Sequence, residues 1–302
     1  MSVTEFATAS TILAEIALAL HPIAIKQIPV GLTTQLLARL GTYSVLGTAL
    51  SSEKDRQLSW GGWSNASKSI VFGLMNLIHI GSSYVSYQHL PAGSALALFY
   101  TYPFFNILAG VLFLGDPLDL KIFPLLVMAF AGVLLISKYT ENPEGFTDTS
   151  EETTEKEQKT VKNISLGIAA ALLSAITETL IFLIAKTGGE PSPWLPILKL
   201  YPAALAGLLG WITVTGASWN TSVQNWIPLL LFNIFIGFLG YSLRFWSIPR
   251  LPTAIFSILT FIGVAAGYGW GLAYAKEVPT AGALAGAGLI TGALGLLKGV
   301  GL

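Results

Sequence analysis

The chain contains no cysteine, which removes disulfides, thiolate metal sites and thiol nucleophiles at a stroke. Charge is almost as scarce: only 11% of the 302 residues are Asp, Glu, Lys or Arg, sixteen acids against sixteen bases. The few basic residues are spread among loops without interleaved aromatics, so no nucleic-acid partner is expected. No HExxH pair, no GKS/GKT phosphate loop and no adjacent Ser/His/Asp set occurs. Gly115-Asp116 lacks the second aspartate that an intramembrane aspartyl protease needs. The expectation is therefore a protein that is not an enzyme, has no cofactor and no metal, and is driven by something other than ATP.

What is abundant is apolar sequence. Hydrophobic residues make up 53% of the chain and mean hydropathy is +0.67, values that place it in a membrane. Crossing a bilayer as a helix takes about 20 apolar residues. Stretches of that kind lie near 6–26, 32–50, 69–88, 92–114, 119–137, 164–185, 195–214, 226–246, 252–274 and 280–298. A bilayer leaves unpaired backbone groups unsatisfied, so each is expected to be a continuous helix. The first has no basic residue before it and no cleavage signal after it, and is expected to be a retained span.

The second half echoes the first at an offset of about 160 residues. Lys26 and Arg39 match Lys186 and Lys199; Leu90-Pro91, Gly110 and Asp116 then match Leu251-Pro252, Gly271 and Glu277. Each copy holds an odd number of spans, so the two would lie upside down relative to each other, the layout of an alternating-access transporter. The fold class expected is an all-α integral membrane protein of ten transmembrane helices in two inverted five-helix repeats, 1–137 and 164–302. Residues 138–163, with seven acids, four lysines and no apolar periodicity, read as a polar linker. With both termini cytosolic, the short loops place eight basic residues inside and two outside. A plasma or inner membrane, rather than an organelle, is the expected location, with the lipid bilayer as a partner.

Polar residues within the spans carry the functional information. Glu15 and Glu178 are the two acids well inside a span, and a carboxylate in hydrocarbon must face a cavity or a partner. Glu178 falls three positions past the counterpart of Glu15, about one helical turn. Proton coupling, or a counter-charge for a substrate amine, stands beside a structural ion pair to Arg39 or Lys199. The third span carries Asn76, His79, Ser83 and Tyr87 on one face, and the eighth carries Asn233, Gly237, Tyr241 and Arg244 in the same rhythm. Such stripes point to a cavity lining, although hydrogen bonding between helices explains any single member. Tyr100, Tyr102 and Asn106 surround Pro103, whose ring removes a backbone donor and tends to kink a helix. Pro202 and Tyr268 repeat these signals more weakly. Gly263, Gly267 and Gly271, with Gly282/Gly286 and Gly288/Gly292, mark packing faces, or a contact in a homodimer.

The runs HPIAIKQIPVGLTTQLLAR, LPAGSALALFYTYPFFNILAGVLFLGDPLD and FPLLVMAFAGVLLIS resemble the first repeat of the drug/metabolite transporter superfamily, in particular its EamA-like members. RLPTAIFSILTFIGVAAGYGWGLAYAKEVPT and AGALAGAGLITGALGLL resemble the second. The resemblance covers nearly all of the chain except the linker. It implies ten helices around a central cavity built by the third, fourth, eighth and ninth, helped by the first and sixth. The function it implies is secondary transport, by export, of a small-molecule substrate such as an amino acid or amine, possible proton coupling being assigned to Glu15 or Glu178. Two alternatives remain: an exchanger of phosphorylated or nucleotide sugars, which would want converging cations from Lys186, Lys199 and Arg244, and a non-transporting scaffold or sensor.

Overall fold

A computed structural model describes residues 2–52, 65–90, 92–117, 120–141, 163–187, 192–220, 222–275 and 280–297. The acidic stretch 142–162 and the Glu277 landmark lie outside the described residues. Every regular element among the described residues is helical. In order they are α1 (Val3–Leu18), α2 (His21–Gln27), α3 (Leu32–Leu50), α4 (Asn65–His89), α5 (Ala92–Phe99), α6 (Tyr102–Ala109), α7 (Phe123–Glu141), α8 (Ile164–Thr187), α9 (Trp194–Thr215), α10 (Val223–Phe232), α11 (Leu239–Ser247), α12 (Thr253–Thr260), α13 (Ile262–Ala275) and α14 (Ala281–Leu297). Among the described residues, six helical stretches are long and apolar enough to cross a membrane: Val3–Ile25, Ser67–His89, Ile164–Thr187, Trp194–Thr215, Val223–Arg250 and Thr253–Gly271. Shorter apolar helices cover Tyr102–Leu114, Phe123–Ile136 and Ala281–Leu296.

Local sequence explains where these helices start, bend and stop. Ser2 opens α1 with a reciprocal capping box: Glu5 N–H donates to Ser2 Oγ at 3.2 Å and Ser2 N–H donates to Glu5 Oε2 at 2.7 Å. Pro22 sits in the first turn of α2, where its missing N–H costs nothing, and the first span is broken at Ala19-Leu20. Pro103 occupies the same position in α6, so the expected kink is a full interruption between Phe99 and Tyr102. The second half breaks at the matching place, Phe261, without any proline. Pro202, by contrast, leaves α9 unbroken. Two π-helical segments, Gly110–Leu114 and Asn233–Phe238, insert an extra residue per turn into the helices that carry them. Gly115 ends the first with φ +71°, a conformation that favours glycine.

Burial runs opposite to that of a soluble protein. Val214 is 87% and Phe113 73% exposed, whereas Glu15 and Glu178 are almost wholly enclosed. An apolar exterior around a polar interior suits a helical bundle in lipid. Packing partners come in exchanged pairs. α4 packs on α8 and α9, while the segment 223–250, which matches α4 at the sequence offset, packs on α1 and α3, the counterparts of α8 and α9. Likewise α5 and α6 pack on α8, and α12 and α13 pack on α1. α7 and α14 pack on each other so closely that a Cβ on Gly132 would lie 2.5 Å from the Gly286 carbonyl oxygen, and one on Gly286 would lie 2.6 Å from the Gly132 oxygen.

Candidate functional site

These exchanged packings bring α1, α4, α8 and α11 together, and with them the ionisable residues of four separate sequence regions. Arg244, on α11, donates from Nη1 to Glu15 Oε1 of α1 and from Nη2 to Glu178 Oε1 of α8, each at 2.5 Å. Tyr100 donates to the second oxygen of Glu15 at 3.4 Å. Beneath the guanidinium lie the rings of Tyr102, at 5.3 Å, and Phe256, at 5.5 Å. Two carboxylates thus face one guanidinium, leaving the cluster one negative charge in excess unless a proton joins it. Removing one partner from a buried ion pair costs about 3–5 kcal/mol, so the three charges hold one another in place.

His79 completes the cluster and shows where such a proton could sit. Its Nε2 is 3.2 Å from Glu178 Oε2. Its Nδ1 lies 3.1 Å from the Ser174 carbonyl oxygen and 3.2 Å from Thr177 Oγ1, whose own hydrogen goes to the Leu173 carbonyl at 2.8 Å. Nδ1 thus faces a carbonyl and two hydroxyls, Ser174 Oγ lying 3.4 Å away, while Nε2 stands at ion-pair distance from the Glu178 carboxylate. Neutral imidazole carries hydrogen on one nitrogen only. With one proton beyond neutral imidazole and carboxylate on the His79–Glu178 pair, Nδ1 can donate to the Ser174 carbonyl while imidazolium and carboxylate attract each other, and the same proton brings the cluster to zero charge.

A second buried polar group surrounds Arg39 of α3. Its guanidinium carbon stands 5.0 Å from the ring centroid of Tyr241, 5.7 Å from that of Tyr43 and 5.9 Å from that of Tyr84. Tyr201 closes another side, its ring centroid 4.7 Å from that of Tyr43. Arg39 is 3% exposed and has no salt bridge to a described carboxylate. Its Nε and Nη2 have no hydrogen-bond partner among the described residues. Neighbouring His21 and Tyr43 leave Nε2 and the phenol oxygen unpartnered as well.

The remaining sequence candidates divide between the two clusters and plain packing. Asn76 donates to the Leu200 carbonyl of α9 at 3.3 Å, and Asn233 turns back to its own helix at the Leu229 carbonyl, 2.8 Å away. Tyr268 accepts from the Thr280 N–H at 3.1 Å, joining the ends of α13 and α14. Asn106 is fully buried with both amide atoms unpartnered among the described residues. Tyr241 belongs to the Arg39 group. Two expectations need correction. Glu15 pairs with Arg244, not with Arg39. Arg244 itself is central and 4% exposed, because the helical segment continues to Arg250 instead of ending near 246. Lys186 is engaged elsewhere, donating to the carbonyls of Ile248, at 3.1 Å, and Leu251. Tyr43, Tyr84 and Tyr201 were not singled out by sequence. Their signal is weak: Tyr84 and Tyr201 lie in apolar helices, and only Tyr43, one turn after Arg39 on α3, has a charge to mark it.

An apolar multi-helix shell around a buried ionisable cluster defines an integral membrane protein, and a crystal structure at TM-score 0.71 covers 98% of both chains at 15% identity, which establishes the shared fold alone. Residues 6–138, somewhat less than half of the chain, match the EamA-like transporter family. The pseudopaline exporter of Pseudomonas aeruginosa, from two strains, is 24% and 25% identical over 226 residues, spanning 73% of this chain and 71% of the exporter in each case.

Proposed function

We propose that this protein is a proton-coupled secondary exporter of small organic metabolites, amino acids or amines, in a plasma or inner membrane. Its ten spans form two inverted repeats, 1–137 and 164–302, joined by the linker 138–163, with both termini in the cytosol. The exchanged packing of the two halves and the similarity to an exporter support that arrangement. Rocking of one repeat against the other exposes the interior to each side in turn. The observation that carries the coupling is the buried His79–Glu178 pair, 3.2 Å apart, two groups that can share one proton beside Arg244. Glu178 with His79 is the proton seat, and Arg244 relays the state of Glu178 to Glu15, which Tyr100 steadies. The ammonium of an amine cargo can take the place of the proton beside the carboxylates.

Of the cations that a sugar-phosphate exchanger would want, Arg244 and Lys186 are already held by protein oxygens. Purified protein in liposomes with an imposed pH gradient tests the proposal. Glu15→Gln, which keeps an acceptor for Arg244 but removes one charge, should lower gradient-driven flux while expression stays near normal. Glu178→Gln should lower it further. Unchanged gradient-driven flux in both variants would remove the coupling role and favour the scaffold or sensor.

A further inference from the structure

The Arg39 group has no place in the proton seat, yet it holds several unpaired buried polar atoms. A buried guanidinium without a carboxylate is a costly arrangement unless a ligand completes it. The two free nitrogens of Arg39, Nε and Nη2, form the side-on fork that grips both oxygens of a carboxylate with parallel hydrogen bonds. Tyr43 OH and His21 Nε2 come together at Gly237: a Cβ there would lie 2.2 Å from the Tyr43 oxygen and 3.4 Å from His21 Nε2. Tyr241 ties the group together, with ring centroids 5.9 Å from that of Tyr43 and 6.3 Å from that of His21, and 5.0 Å from the Arg39 guanidinium carbon.

His21 differs from the others in polarity. Its Nδ1 lies 3.1 Å from the Leu18 carbonyl, an acceptor, so the ring hydrogen sits on Nδ1 and Nε2 presents a lone pair. The group therefore offers a fork of N–H donors, a phenol hydroxyl and one bare nitrogen acceptor. We propose that Arg39, Tyr43 and His21 form a binding seat for the head group of an α-amino acid, the guanidinium and phenol holding the carboxylate and His21 Nε2 accepting from the ammonium. This rests on the transporter reading above and adds to it the part of the cargo that is recognised.

The test uses the full-length protein and three probes with the same apolar body: L-phenylalanine, 3-phenylpropionate and 2-phenylethylamine. Affinities come from equilibrium titration, checked by the rise in melting temperature that a ligand of the folded state produces. L-Phenylalanine should bind at least about tenfold more tightly than the amine, with the acid between them, a factor equivalent to about 1.4 kcal/mol. Arg39→Gln should weaken the amino acid and the acid by about tenfold or more while the melting temperature of the empty protein holds or rises, because the change deletes a buried cation that has no carboxylate partner among the described residues. Arg39→Lys keeps the charge but not the fork, and should also weaken the acid. Tyr43→Phe, which removes only the hydroxyl, gives a third reading if either Arg39 variant folds poorly. Undiminished acid binding in these variants, an amine that binds as tightly as the amino acid, or no binding of either carboxylate probe overturns the seat. Gradient-driven flux judges the transporter separately: a protein that exchanges amines for protons but ignores carboxylates loses this seat and remains an exporter.

Discussion

Gly263 offers a sharp test of the geometry at the coupling cluster. It stands where α13 passes Tyr100 and Glu15, and a Cβ there would lie 2.0 Å from the Tyr100 hydroxyl oxygen and 3.1 Å from Glu15 Oε2. For Gly263→Ala to reach ordinary contact near 3.4 Å, the hydroxyl must retreat by about 1.4 Å. It has little room to do so: Tyr100 is 5% exposed, its ring centroid 5.5 Å from that of Phe99, 5.6 Å from that of Tyr102 and 6.2 Å from that of Phe261. Overpacking of this kind costs about 1–3 kcal/mol. Losing the hydrogen bond to Glu15 adds about 0.5–1.5 kcal/mol, and replacing a helical glycine by alanine returns about 0.5–1 kcal/mol. The net cost should be about 1–3 kcal/mol. Tyr100→Phe removes the clashing oxygen, leaving ring carbon Cζ at 3.1 Å as the nearest ring atom. In a double-mutant cycle followed by denaturant unfolding in detergent, Gly263→Ala with Tyr100→Phe should then cost less than the sum of the singles, by about 1 kcal/mol or more. Strict additivity would mean that the Tyr100 hydroxyl does not lie against Gly263, and the placement of Glu15 by Tyr100 would fall with it.

Further outcomes follow from other contacts. Arg244→Gln leaves Glu15 and Glu178 without their cation and should destabilise the protein by about 3–5 kcal/mol, read as lost folded yield, with part recovered when Glu15→Gln is added. Gly286→Leu should drive α7 and α14 apart at the Gly132 carbonyl and lower the melting temperature sharply, whereas Gly288→Ala, with nothing within 4 Å of its Cβ, should hold or slightly raise it. Thr253 donates to Asp116 Oδ2, tying the first turn of α12 to the end of the segment that follows α6. Because the chain has no cysteine, a Ser257→Cys reporter can be labelled alone. Asp116→Ala should raise the rate of maleimide labelling at that buried position, and an unchanged rate would mean that the contact does not restrain opening.

The ionisable cluster was partly legible because charge is rare here. Glu15, His79 and Glu178 each stand out in an apolar run, and a buried carboxylate demands a partner. The identity of that partner was not legible. Arg244 fell near an apparent span end because hydropathy drops at Ser247 and Arg250, while the backbone stays helical through a final 3-10 turn. Arg39 looked like the natural mate of Glu15 because both belong to the first half, yet the mate comes from α11, across the exchanged packing. Face periodicity had a similar limit. Asn76 and Asn233 share faces with His79 and Tyr241, but each finds a nearby carbonyl, and spacing alone cannot tell a hydrogen bond to a neighbouring turn from one to cargo. Proline marked the break before α6 but not the matching break at Phe261, where the helix opens with no residue that forbids it.

The two buried groups become one device once their charges are counted together. Arg39 and Arg244 balance Glu15 and Glu178, so the empty core is neutral without any added proton. A proton at His79–Glu178 turns it positive, and a cargo carboxylate at Arg39 returns it to zero. Proton and carboxylate should therefore favour each other, whereas an ammonium beside Glu15 or Glu178 should compete with the proton. Linkage makes each effect reciprocal, and couplings of this sort are typically worth about 1–3 kcal/mol. An exporter driven by inward proton movement needs exclusion, which an amine beside Glu15 or Glu178 provides, while the Arg39 group provides selectivity for a carboxylate. The signs can be read from binding alone: affinity for 3-phenylpropionate should rise as pH falls, and affinity for 2-phenylethylamine should fall. A common sign for both probes would mean that the two groups do not share one electrostatic field, and the division of labour between them would have to be abandoned.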